Sequence, residues 1–231
     1  MNKQTTVTPR VIIQLIIFII VVPLLPLLIS RRWGWWEAWL YAAINIVGFA
    51  ASRALAARAH PDLLAERARF LEHEDTAPWD KILAPLVGLG GGLISLVAGL
   101  DARFGWSAGY SLPVELVALL FILAGFSLGS YALIENRYFS GTVRIQAERN
   151  HHVVSTGPYA WVRHPGYAGA LLTYLATPIF LAANWAFVPV LLLSAVLVVR
   201  TALEDQTLQT RLDGYRAYAQ RVRYRLVPGV W

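Results

Sequence analysis

The residues best suited to bind a charged ligand begin with Arg163 and His164, near the end of the polar segment Arg149–Tyr167. Proline suits the first position of a helix, so Pro165 predicts that a helix begins directly after them. The free N–H groups and the dipole of a helix N-terminus favour an anion, and a neighbouring guanidinium adds a charged donor. The pattern predicts a seat for a carboxylate or phosphate. The alternative is a membrane-entry turn whose arginine contacts lipid phosphate.

A second polar segment, Arg200–Arg225, begins with Arg200 and the acidic pair Glu204 and Asp205. Arg200 and Glu204 are four residues apart and can pair on one face of a helix. Asp205 is turned about 100° away from Glu204 and could face a ligand. A solvated charged face is the alternative interpretation. Together the two segments could hold the carboxylate and ammonium groups of an amino acid moiety.

The rest of the composition indicates an all-α, polytopic integral membrane protein. Of the 231 residues, 57% are hydrophobic and only 15% are charged, whereas a soluble domain carries about 25% charged residues. Six apolar stretches are predicted to span the membrane: Val11–Ile29, Trp35–Ala51, Ile82–Leu100, Val114–Ile134, Pro165–Ala182 and Trp185–Leu203. The last two are joined only by Ala183 and Asn184, which predicts a tight antiparallel hairpin that brings both polar segments to one face.

The positive charges predict the orientation of these spans. With six spans, seventeen of the 20 Lys and Arg residues fall on the side of the termini and long loops, and three, Arg31, Arg32 and Arg103, fall on the other. The bias places both termini and the candidate site at the cytoplasmic face. The net charge of +6 is thereby explained by topology and by contacts with membrane lipids, and no nucleic acid partner is predicted.

The sequence divides into two predicted regions. Residues 1–134 form a transmembrane region of four spans with an amphipathic cytoplasmic loop, 52–81. Residues 135–231 contain a cytoplasmic loop, the helical hairpin 165–203 and a C-terminal helix. A transporter would place ionisable residues near the membrane midplane, which this chain lacks, and a helical scaffold is the other non-enzyme alternative.

Other chemistries find less support in the sequence. There is no cysteine, and the adjacent His151 and His152 cannot form a helical metal-binding pair, so no metal site is predicted. A relay between a histidine and Ser155 lacks a third residue. GxxxG spacings within Gly88–Gly92 and Gly125–Gly129 predict close helix packing.

The order and spacing of these residues resemble the isoprenylcysteine carboxyl methyltransferase family, an integral-membrane group related to the phospholipid N-methyltransferases. The resemblance covers about 145–225 and is carried by four patterns: Gly157-Pro158-Tyr159, Arg163-His164-Pro165-x-Tyr167-x-Gly169, Arg200-x-x-x-Glu204-Asp205-x-x-Leu208, and Tyr215 with Tyr218. Pro61-Asp-Leu-Leu and Pro78-Trp-Asp-Lys81 are also similar to microbial members. The acidic pair departs from the family pattern, where Glu-Glu is usual.

The resemblance implies S-adenosyl-L-methionine as methyl donor and a lipophilic or lipidated acceptor, most simply an isoprenylcysteine-like carboxylate. A phospholipid amine or a small thiol is the alternative acceptor, and the oligomeric state is left open. The implied cofactor-binding residues are Gly157, Tyr159, His164, Pro165, Tyr167, Glu204 and Asp205, with Glu204 meeting the donor's amino group or ribose. The implied catalytic residues are Arg163, Arg200 and Glu204, of which an arginine holds a carboxylate or orients the acceptor.

Overall fold

The computed structural model describes residues 17–68, 73 and 75–231, and its regular structure within these residues is helical, with no strand. The α-helices are α1 Val22–Ser30, α2 Trp36–Ala59, α3 Leu63–Ala68, α4 Asp80–Phe104, α5 Leu112–Glu135, α6 Pro165–Phe180, α7 Phe187–Arg211 and α8 Tyr215–Arg221. A π-helical turn, Ile17–Val21, precedes α1, and 3₁₀ turns occur at Ala147–Arg149, Gly157–Ala160 and Asn184–Ala186. The predicted all-α class is confirmed.

Four helical stretches are long and apolar enough to cross a membrane: Trp36–Ala59, Asp80–Phe104, Leu112–Glu135 and Asn184–Arg211. The other two predicted spans are shorter here. Helix α6 has 16 residues, which reach about 24 Å against a hydrocarbon core of about 30 Å. The first predicted span begins outside the described residues, and its described part, Ile17–Ser30, is a shorter apolar helix. A multi-pass membrane protein is therefore supported, whereas the count of six spans stays a prediction.

Helices α5 and α6 approach each other at glycines. A Cβ atom on Gly169 would lie 2.4 Å from the carbonyl oxygen of Gly125 and 2.8 Å from the backbone nitrogen of Gly129. The close packing predicted for Gly125–Gly129 is thus confirmed. In the other glycine run the contact falls on Gly90, whose Cβ would lie 2.6 Å from Leu193, while Gly88 faces open space. The contact between α5 and α6 sets the end of α5 beside the start of α6.

The loop predicted over 52–81 is anchored to the segment that follows α5. Glu66 of α3 forms an ion pair with Arg144 at 2.6 Å, and Asp62 forms one with Arg149 at 2.7 Å. The backbone N–H of Ala77 donates to the carbonyl of Val143 at 2.9 Å. These contacts hold 137–149 in place just before the candidate site.

Candidate functional site

Asp205 on α7 is the centre of a buried polar cluster. Its side chain is inaccessible to solvent, and Arg163 contacts it through Nε to Oδ1 at 2.8 Å and Nη2 to Oδ2 at 3.0 Å. Further contacts come from His164 Nε2 at 3.4 Å, Gln209 Nε2 at 2.8 Å, the Tyr215 hydroxyl at 3.1 Å and Arg225 Nε at 3.0 Å. Because both oxygens are shared among these groups, Asp205 joins the two polar segments predicted from the sequence.

The C-terminal segment completes this cluster. The N–H groups of Arg163 and His164 donate to the carbonyls of Tyr224 and Arg225, each at 2.9 Å. Arg163 Nη1 donates to two further carbonyls, those of Ala219 and Val222, each at 3.2 Å. The backbone and guanidinium groups predicted to seat an external anion before Pro165 therefore bind the chain itself. Helix α6 does begin at Pro165, as its sequence predicts.

Arg200 has a different acidic partner from the one its spacing indicated. Its guanidinium binds Asp80, with Nε to Oδ1 at 2.7 Å and Nη2 to Oδ2 at 3.0 Å, and Asp80 is inaccessible to solvent. Arg200 also donates to the carbonyl of Gly141 and lies over the ring of Tyr167, 5.4 Å from its centroid. Sequence reasoning missed Asp80 as a site residue. The one sequence feature that could have identified Asp80 is its position at the start of an apolar helix, where the helix dipole favours a negative charge.

Glu204 is the site carboxylate that remains half-buried. The hydroxyl of Tyr167 donates to its Oε2 at 2.6 Å, and the ring of Tyr167 stacks with His164 at a centroid distance of 5.9 Å and an angle of 9°. The structure therefore brings three predicted residues, His164, Tyr167 and Glu204, together where α6 begins beside α7. This arrangement combines a carboxylate with aromatic faces, which suits a cationic group.

Tyr159 is a buried residue of the 3₁₀ turn Gly157–Ala160. Its hydroxyl donates to the carbonyl of Ala132 at 3.2 Å and accepts from Asn136 Nδ2 at 3.1 Å, and burial raises the pKa of the phenol. Gly157 has a φ of 55°, and a Cβ there would lie 3.0 Å from the Glu135 side chain. Glu135 and Asn136 were not singled out from the sequence, since each follows an apolar span without a recognisable motif.

Comparison with known proteins identifies the same segment. Residues 117–210 match the model of the isoprenylcysteine carboxyl methyltransferase (ICMT) family. Two curated rice proteins, from Oryza sativa subsp. indica and subsp. japonica, are both named "Probable protein-S-isoprenylcysteine O-methyltransferase". Each is 32% identical to this chain over 69 residues, which is 29% of this chain and 36% of the relative. The matched region thus spans about a third of the length of these relatives.

The matched residues contain every site residue predicted from the sequence, from Gly157 to Asp205. They also contain Tyr167 and Glu204, which form the half-buried part of the site. Residues 117–210 are thus similar to the isoprenylcysteine carboxyl methyltransferase family.

Proposed function

We propose that this protein is a multi-pass membrane methyltransferase that uses S-adenosyl-L-methionine to methylate the carboxylate of a lipophilic, isoprenylcysteine-like acceptor. Its family and the printed names of its relatives support the reaction. The distribution of positive charge supports a site at the cytoplasmic face, with both termini on that side. Residues 135–231 form the methyltransferase core, and Asp80 supports that core from the N-terminal region.

The pairing of Tyr167 with Glu204 is the observation that carries this proposal. Asp205 and Asp80 are enclosed and neutralised by arginines, whereas Glu204 is half-buried and oriented by one short hydrogen bond. A carboxylate held in this way can bind the ammonium group or a ribose hydroxyl of the donor. Glu204 therefore binds the donor directly. Asp205, Arg163 and Arg200 act as positioning residues.

The residues proposed to bind the methyl donor also match the positive charge of S-adenosyl-L-methionine. The stacked rings of His164 and Tyr167 offer aromatic faces to a sulfonium, and Glu204 offers a negative charge beside them. Gly157 begins the 3₁₀ turn and Pro165 begins α6, and the hydroxyl of Tyr159 ties that turn to the end of α5.

The chain's residues promote the reaction by alignment and by excluding water. When bound, the donor supplies an electrophilic methyl group, which forms a new bond to the acceptor oxygen as the sulfonium becomes a neutral thioether. A carboxylate acceptor is already deprotonated, so no residue has to remove a proton. An ammonium acceptor would need a base to remove its proton. The two candidate bases already have partners within the protein, because Glu204 contacts Tyr167 and His164 contacts Asp205. This favours the carboxylate over the phospholipid amine.

Calorimetric binding of S-adenosylhomocysteine to the detergent-purified protein tests the proposal. We expect saturable binding to the wild type and at least about a tenfold weaker affinity for Glu204→Gln, since a charge-assisted hydrogen bond is lost. Asp213→Asn, an exposed carboxylate in the turn after α7, is the matched control and should bind as the wild type does. A folded wild type that fails to bind in native lipid would refute the methyltransferase function.

A further inference from the structure

Two arginines beside the proposed site have no acidic partner among the described residues. Arg53 on α2 donates from Nη1 to the hydroxyl of Ser52 at 3.0 Å and lies 4.1 Å from the ring centroid of Phe49. Arg67 on α3 donates from Nη1 to the carbonyl of Phe139 at 2.9 Å and lies 5.3 Å from the ring centroid of that residue. In the described parts of the chain, neither guanidinium forms an ion pair.

The other arginines of this region differ in that respect. Arg144, Arg163 and Arg200 each bind a carboxylate that is itself buried. Arg53 and Arg67 are half-buried and close enough to repel each other. Burial lowers the pKa of Arg67 to about 10, and Arg200 contributes to the same shift. Partly desolvated cations without a counter-charge are costly, so their placement favours an anion supplied from outside the chain.

The position of this pair connects it to the proposed methyl-transfer site. Phe139, which lies under the guanidinium of Arg67, also packs against the start of α6, where a Cβ on Gly166 would lie 2.7 Å from its ring. Tyr167 is the next residue along α6, and Arg200, whose guanidinium lies 5.4 Å from its ring centroid, is close enough to Arg67 for the two positive charges to repel each other. The two arginines and the hydrogen bond between Tyr167 and Glu204 therefore share one end of the helical bundle.

Resting on the proposed function, we propose that Arg53 and Arg67 form the subsite that binds the carboxylate of the acceptor. The resemblance assigned this role to Arg163 or Arg200, but those guanidinium groups are neutralised by Asp205 and Asp80. A guanidinium presents several N–H groups in a planar fork that matches a carboxylate. Only one nitrogen of each of these two arginines donates a hydrogen bond within the described residues, which leaves the others for a ligand.

This subsite discriminates between substrate and product. The acceptor carries a negative charge before methylation and none afterwards. Two cations therefore hold the acid and release the ester, which would reduce inhibition by product. The apolar rings of Phe49 and Phe139 beside the guanidinium groups suit a carboxylate that is attached to a hydrophobic chain.

The test compares binding of N-acetyl-S-farnesylcysteine with binding of its methyl ester, with and without S-adenosylhomocysteine. We expect the wild type to prefer the acid by at least about tenfold, since hydrogen bonds to charged groups contribute that much or more. Arg53→Gln and Arg67→Gln should reduce the preference to about twofold or less while the ester binds as before. Arg58→Gln, an exposed arginine further along α2, is the matched control and should keep the full preference.

The variants also separate the possible failures. Arg67 donates a hydrogen bond to the backbone of Phe139, so Arg67→Gln could misfold. In that case Arg53→Gln carries the test, because Arg53 donates only to its neighbour Ser52 within the described residues. A wild type that binds S-adenosylhomocysteine but treats acid and ester alike would overturn the subsite and leave the proposed function standing. If the arginine variants bind S-adenosylhomocysteine more weakly but still prefer the acid over the ester, Arg53 and Arg67 bind the carboxylate of the donor. That result would also overturn the proposed acceptor subsite. A wild type that binds neither S-adenosylhomocysteine nor N-acetyl-S-farnesylcysteine would overturn both the proposed function and the acceptor subsite.

Discussion

Nε of Arg163 lies 2.8 Å from Oδ1 of Asp205, and the aspartate is completely shielded from solvent. The two residues are separated by 42 positions in the sequence and come from the two polar segments. A buried carboxylate with several cationic neighbours fixes the start of α6 against α7. The proposed donor-binding residue, Glu204, is the residue immediately before this fixed point.

Replacing Asp205 should therefore destabilise the fold more than replacing its neighbour. Asp205→Asn leaves the buried guanidinium of Arg163 without a counter-charge, and breaking such a pair typically costs about 3–5 kcal/mol. Glu204→Gln should lower the free energy of unfolding by about 1 kcal/mol or less, because the side chain is half-buried and its hydrogen bond is retained in part. Denaturant titration in micelles measures both. Equal losses for the two variants would contradict the structural role of Asp205.

The pair of Arg200 and Asp80 predicts strong coupling between distant parts of the sequence. Asp80→Asn and Arg200→Gln should each be destabilising, because each leaves an opposite charge buried. The double variant removes both charges, so its loss should be smaller than the sum of the single losses by about 0.5–3 kcal/mol. A double-mutant cycle on the free energy of unfolding measures this coupling. Additive losses would show that the ion pair contributes no coupling energy.

The free energy of unfolding should fall in mild acid because of His151. Burial, followed by repulsion from His152 and Arg144, lowers the pKa of His151 to about 4. The unfolded chain, with an ordinary histidine pKa of about 6.5, then binds the proton more tightly. The stabilisation is complete above pH 6.5 and is lost as the pH falls towards 4, with a slope of up to about 1.4 kcal/mol per pH unit.

The variant His151→Gln isolates this contribution. Its free energy of unfolding should vary less between pH 6.5 and 4 than that of the wild type, measured by denaturant titration at several pH values. His60→Gln, at the end of α2, is the control and should keep the wild-type slope, whereas the ring of His151 packs against Tyr138 at a centroid distance of 4.3 Å. Asp62, whose arginine partners lower its pKa to about 2, adds a slope of its own below about pH 5, but it does so equally in the wild type and in the variant. An unchanged slope in His151→Gln would refute this assignment.

Local sequence patterns predicted the helices and several of the residues that the structure brings together in the candidate site. Apolar runs predicted the helices, Pro165 predicted the start of α6, and the GxxxG spacing at Gly125 predicted close helix packing, which the structure shows against Gly169. The pairing of charges was not predictable in this way. Spacing alone favoured Arg200 with Glu204, but the actual partner, Asp80, lies 120 residues away and is selected by how the helices pack.

The same limit explains why the two arginines without a carboxylate partner in the described part of the chain could not be predicted. In the sequence, Arg53 and Arg67 look like ordinary positive charges beside a membrane span until the structure shows which arginines have carboxylate partners. Asp205 presents the converse case. Its sequence context suggested contact with a ligand, and only its complete burial reveals that its oxygens are used within the fold.

The hydroxyl of Tyr167 should contribute to donor binding through Glu204. Tyr167→Phe removes the 2.6 Å hydrogen bond to Oε2 but retains the ring that stacks on His164 and lies under Arg200. Glu204 then loses its orientation, and we expect S-adenosylhomocysteine to bind about 3- to 15-fold more weakly, as the loss of one such bond predicts. Tyr110→Phe removes a hydroxyl that bonds Asn184 instead, outside the donor site, and should leave calorimetric affinity unchanged. If Tyr167→Phe binds S-adenosylhomocysteine as tightly as the wild type does, the hydroxyl of Tyr167 does not contribute to donor binding through Glu204. If Tyr167→Ala also keeps the wild-type affinity, the donor does not contact this part of α6.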